Sequence, residues 1–246
     1  MSLRTTGFAG MLVVTMAMSV FAFFGLAVVA SELEAEFGLS KFELGLLGAA
    51  NTGVGGLFAP RAGRLVDRYG GRTTIGAVLA LSAVTAAVIA LAQSFPMLVF
   101  GMAGAGLAQG LANPATNGAI ATGIEPSQRG LVTGIKQSGV QLAVFSTGFA
   151  MPVISRTMGW RAGLWMTALV SLIALAGLRL ITEIAGSRRS PQSGEAGGSS
   201  ASRPSGDAGL PRFVYHVAIY GFLMGLIGGG LGRFLPLFAE ESVGLT

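Results

Sequence analysis

Cysteine is missing from all 246 residues, and histidine occurs once, at His216. No disulfide framework or thiolate metal site can therefore be built, and one imidazole cannot assemble a zinc cluster. Charge is also scarce: Asp, Glu, Lys and Arg make up 11% of the chain, and lysine occurs only at Lys41 and Lys136, beside fourteen arginines. So thin a set of ionisable groups offers no nucleophile with its base and no metal cluster, so neither an enzyme nor a bound cofactor is expected. What fills the chain is apolar, with 52% hydrophobic residues and a mean hydropathy of +0.68. A soluble domain of this length could not bury that much apolar surface in one core, and lipid is the expected solvent.

A formal charge of +5 and a pI of about 10.4 would, in a soluble protein, suggest nucleic acid. Here the basic residues lie mainly between apolar runs, without a basic helix face or an aromatic-interleaved patch, so no nucleic-acid partner is expected. Seven runs fit transmembrane helices: 7–30, 42–60, 73–92, 97–122, 130–154, 162–181 and 213–238. Each is close to the roughly 20 residues that cross a bilayer as a helix. The first follows Arg4 as a signal peptide would, yet it is too long and lacks a small-residue cleavage pattern, so it reads as a retained helix. Between the third and fourth runs, "QSFP" supplies the polar turn residues Gln93 and Ser94, then Pro96 for the first turn of a new helix.

Charge sets the orientation. With the amino terminus in the cytoplasm, twelve of the sixteen basic residues fall on the inner side, and Lys41, Arg156, Arg161 and Arg233 fall outside. Residues 185–211, rich in Ser, Gly, Arg and Pro, read as a flexible cytoplasmic linker between a six-helix domain (1–184) and a region holding the seventh helix (212–246). "AVVASELEAEFGLS" at 27–40 and "RFLPLFAEESVGLT" at 233–246 both leave an apolar helix, pass an acidic patch and close on Gly-Leu-Ser/Thr. This weak repeat leads us to expect that a second half begins with the seventh span, the chain then being a truncation.

The segment "GRLVDRYGGR", 63–72, concentrates Arg64, Asp67, Arg68 and Arg72 in ten residues. It reads as an inner loop in which Gly63 lets two helices approach, Gly70 permits a tight turn, and Asp67 accepts from helix N–H groups or pairs with Arg68 or another basic residue. Gly63, Asp67, Arg68, Gly70 and Arg72 match the loop signature of the major facilitator superfamily; Gly71 departs from it, standing where a basic residue is usual. With "FGLSKFELGLLGAANTGVGG", "GLAQGLANPA", "RGLVTGIKQSG" and "GWRAGLW" in the same order and spacing, nearly the whole chain resembles that family. The resemblance implies an all-α membrane protein: a six-helix N-terminal bundle plus the first helix of a second, out of twelve. It further implies that the signature acts as an inner conformational latch, and that a small solute crosses by alternating access. The implied partners are the lipid bilayer and that solute, with a coupling ion left open, and the implied location is the inner membrane.

Carriers of this kind bind solute near mid-membrane, so polar residues deep in spans are the candidates. Gln109, Asn113 and Asn117 recur at i+4 on one face of the fourth span, as cavity lining or as interhelical glue. On the fifth span Gln137 and Gln141 repeat the i+4 spacing beside Lys136, whose ammonium either invites an anion or a carboxylate or snorkels to the inner surface. Asn51 in the second span completes the set; Thr52, His216 and Tyr220 are weaker. "GIKQSGVQ" resembles permeases for small organic or inorganic anions, which makes an anion the expected solute. Met102 stands where proton-coupled exporters of the family often carry Arg, and "STGFAMP" reaches Pro152 without the usual preceding Gly, so proton-coupled export is not carried over. Two alternatives remain: a fragment that moves nothing alone, and a seven-helix receptor, which needs an outside amino terminus against the charge count.

Overall fold

In lipid a backbone must satisfy its own N–H and C=O groups, so apolar runs of this length can only be helical or strands of a closed barrel. In the computed structural model they are helices. It describes residues 3–186, with side chains from 5 to 179. These belong to the first of two units, Met1–Ser190; the second, Pro191–Thr246, with the predicted seventh span, His216, Tyr220 and Arg233, lies outside the described residues.

The order is α1 (Leu3–Val28), α2 (Ala30–Phe37), α3 (Lys41–Tyr69), α4 (Gly71–Ala90), α5 (Phe95–Gly123), a 3-10 turn (Pro126–Gln128), α6 (Arg129–Met158) and α7 (Trp160–Gly186). The six long helices fall on the six predicted spans within the described residues. Five of them are long and apolar enough to cross a membrane; α3 is the exception, with Asn51 and Thr52 in its first half and Arg61, Arg64, Asp67 and Arg68 in its second. Large apolar side chains point outward, Phe100 and Phe149 at 74% exposure each, as suits a lipid-facing surface and not a watery one.

Three expectations need correction. The segment 63–72 is not a loop, because α3 runs on to Tyr69 and only Gly70, at φ +80°, interrupts it before α4 begins. Pro60, expected to close the second span, sits inside α3 on its exposed side. The helix continues because its charged end lies where water is available, and a helix satisfies its backbone there as well as a loop does. Nor is Gly63 a point of close approach, since nothing lies within 4 Å of a Cβ placed there.

The close approaches are elsewhere. A Cβ on Gly55 would stand 2.8 Å from the carbonyl oxygen of Gly106, and one on Gly110 2.6 Å from that of Gly55. One on Gly106 would overlap the Asn51 carbonyl, and one on Gly71 would overlap the backbone of Ala119. Since lipid tails are as apolar as leucine, helices in lipid associate through packing and hydrogen bonds more than through hydrophobic driving force, and small residues earn their place by letting backbones meet. α5 packs chiefly on α3 and α4, α1 on α6, and α4 on α7. One buried cluster gathers Phe8, Leu12, Val66, Ile75 and Ile120 near the signature, and another gathers Leu33, Leu47, Leu98, Trp160 and Leu164 at the opposite end.

The ends are tied by side chains. Ser40 and Glu43 form a capping box at the start of α3, with Ser40 N donating to Glu43 Oε2 at 2.8 Å. Arg129 donates to the Ala121 and Ile124 carbonyls at the end of α5, 2.7 and 3.0 Å away. Arg161 does the same for α4, donating to Ala90 O at 3.1 Å and Ala92 O at 2.9 Å. A cation on the last carbonyls of a helix also opposes the negative end of its dipole.

Candidate solute-binding site

Lys136 lies seven residues into α6, about 10 Å along its axis. Its side chain is 1% exposed, and the ammonium does not reach back to the helix end but crosses to α5. There it donates to Asn117 Oδ1 at 2.7 Å, Thr116 Oγ1 at 2.9 Å and Asn113 Oδ1 at 3.2 Å. Thr116 is itself wholly buried and spends its own proton on Ala112 O, 2.7 Å away, which frees a lone pair for the lysine. Three donors thus meet three oxygens, all of them neutral. Among the described residues the ion pairs are Glu34 with Lys41 and Glu36 with Arg161, so no carboxylate balances Lys136. A buried charge so placed costs several kcal/mol (about 3 or more) unless something else compensates it.

The fold produces this cluster simply. Asn113 and Asn117 are one turn apart, Thr116 sits between them on the side toward α1 and α6, and antiparallel α6 sets Lys136 against that turn. Met16 of α1, with Sδ 3.8 Å from Thr116 Oγ1, closes the buried side. Asn113 and Asn117 are exposed on the other side.

The remaining candidates stand apart. Asn51 is fully buried in the α3–α5 seam, where Nδ2 donates to Met102 O at 3.2 Å and Oδ1 has no partner. It joins two helices and does not belong to the lysine cluster. Gln109 is partly buried with Oε1 unpaired. Gln137 and Gln141 are exposed on α6, turned away from Lys136 by the helical rotation between them. Thr116 escaped the sequence reading because a lone threonine in a span ordinarily bonds back to its own helix. Its signal was its place between two asparagines of one face.

At the signature, Asp67 is exposed and has no hydrogen-bond or ion-pair partner among the described residues, being inside the last turns of α3 instead of at a helix start. Arg68 lies over the Tyr69 ring at 5.3 Å and Arg72 over the Phe8 ring at 5.7 Å. The inner latch expected of Gly63, Asp67, Arg68, Gly70 and Arg72 is therefore not formed within the described residues. Among them no three His, Asp or Glu side chains converge to hold a metal.

At the opposite end, α2 is clasped to the α6–α7 turn. Ser155 donates to Glu32 at 2.9 Å, while Trp160 Nε1 and Arg161 donate to Glu36 at 2.8 and 2.9 Å. The Arg161 hydrogen bond holds the Glu36 carboxyl below its ordinary value against the opposing effect of burial, with Trp160 and the arginine's charge adding to it.

A bundle of lipid-length helices with apolar flanks and a polar cluster between two of its spans defines a multi-pass membrane protein. The chain belongs to the Major Facilitator Superfamily, whose sequence model matches residues 11–246. Its fold is similar to that in the crystal structure of a bacterial homolog of the human lysosomal transporter Spinster, in an inward-facing and unoccupied conformation, with a TM-score of 0.77 at 18% identity. All of this chain is covered, against 57% of that one, so the chain spans little more than half the length of its structural relative. No curated protein sequence matches it.

Proposed function

We propose that the chain is the solute-binding part of a secondary carrier that moves a small anion across the inner membrane by alternating access, its amino terminus in the cytoplasm. The single observation that carries the anion reading is the Lys136 ammonium, buried among three neutral oxygens with no carboxylate against it among the described residues. An anion bound near it would supply the missing charge, and that attraction would select anions over neutral solutes. Family membership supports transport. The exposed signature and the second domain, 212–246 after a linker at 185–211, belong to the same proposal as the moving parts.

Exchange of labelled acetate and nitrate by vesicles holding the purified chain tests this. Anion exchange should exceed that of empty vesicles and fall about tenfold or more in Lys136→Gln, as expected for losing a hydrogen-bonded charge. Equal exchange of neutral acetamide, or an unaffected Lys136→Gln, would contradict it. A chain that binds anion without exchanging it favours a second reading, a bundle that transports only with a complementary one, which the 57% coverage of its structural relative supports.

A further inference from the structure

The ammonium of Lys136 has three hydrogens, and Thr116, Asn113 and Asn117 take all three. It is also shut off, at 1% exposure, beneath two exposed asparagines. A cation can be approached only by the oxygen of an amide, so it fixes both side-chain flips: Oδ1 faces inward and Nδ2 is sent to the opposite side. No acceptor among the described residues takes a hydrogen from either Nδ2. Two NH2 groups, one helical turn apart and polarised by the cation behind them, thus point into the open space beside α5.

We infer that the solute does not touch Lys136: a small oxyanion, of the carboxylate or nitrate kind, is held by the amide nitrogens of Asn113 and Asn117, and Lys136 acts behind them as the positioning residue. It sets the amide orientation and supplies the positive potential. Two or more acceptor oxygens on one ligand would span donors roughly 6 Å apart at their Cβ atoms better than a spherical halide would. Unlike a direct ion pair, the arrangement leaves the ammonium solvated by protein when the site empties, so no bare charge is exposed during release. This inference rests on the anion reading above.

The test uses the full chain in detergent, its melting temperature titrated with sodium acetate, sodium nitrate, sodium chloride and, as the neutral control, acetamide. The wild type should be stabilised saturably by acetate or nitrate, less by chloride, and not by acetamide. Asn113→Ala with Asn117→Ala, both at exposed positions, keeps the Lys136 side chain and opens a path to it. The inference expects this pair to lose anion affinity about tenfold or more, and Lys136→Gln to lose it as well. Single Asn113→Ser and Asn117→Ser variants, which keep an oxygen for the ammonium, give the same comparison if the double variant does not fold. Retention of affinity within about twofold by the alanine pair, with loss in Lys136→Gln, would show direct contact with the ammonium; the inference would fall and the anion reading would stand. If the wild type responds to neither oxyanion, both fall.

Discussion

Gly71 and Gly106 are the positions where the bundle tolerates least. A methyl group on Gly71 would overlap the Ala119 backbone, and one on Gly106 the Asn51 carbonyl, so neither neighbour can yield by a side-chain rotation. Gly71→Ala and Gly106→Ala should each cost about 1–3 kcal/mol, read as a lower melting temperature in detergent. Gly63→Ala, with open space around it, should leave it unchanged. The same contact explains why Gly71 departs from the basic residue usual in the family signature: a long side chain cannot start there without moving α5. The sequence shows glycine at 55, 63, 71, 106 and 110 alike, and nothing in spacing separates a glycine at a helix crossing from one facing outward. Asn113, Asn117 and Lys136, by contrast, were legible, because i+4 spacing and a lone cation deep in a span are features of the chain itself. Asn51 shared the polar-in-a-span signal and turned out to be a link between α3 and α5.

Among the elements, α2 was invisible to hydropathy. It has eight residues, three of them glutamates, and reads as a loop until its carboxylates are seen on Ser155, Trp160 and Arg161. The long helices were legible because length and apolarity alone require them in lipid. Their ends were not, since a charged segment such as Arg64–Arg68 reads as a break whether or not the helix continues through it. Because Glu36 titrates lower in the folded chain than its ordinary 4.5, the clasp stabilises the fold fully above that pH and is lost as the pH falls through the folded-state value. Glu36→Gln should therefore lower the melting temperature at neutral pH, and the gap from wild type should close below pH 4.5. The pair is more than a third exposed, so the neutral-pH difference should stay under about 1 kcal/mol. A gap that persists unchanged into acid would mean the carboxylate is not what holds α2.

Over the whole bundle, alternation of helix direction sorts charge to opposite ends. Arg64, Arg68, Arg72 and Arg129 lie at the end where α3, α4, α5 and α6 meet, while Glu32, Glu34 and Glu36 lie with α2 at the other. An excess of basic residues on one side is what orients such a bundle in a bilayer, and on that ground we propose that the signature faces the cytoplasm and α2 the outside. The side from which solute would reach the Lys136 cluster in the proposed carrier depends on that threading. The absence of cysteine gives a clean background for testing it. In cells carrying Asp67→Cys or Glu34→Cys, labelling with a membrane-impermeant maleimide should reach position 34 from outside and position 67 only in inverted vesicles. Labelling of position 67 from outside, or of both positions from the same side, would contradict the threading and with it the placement of the site.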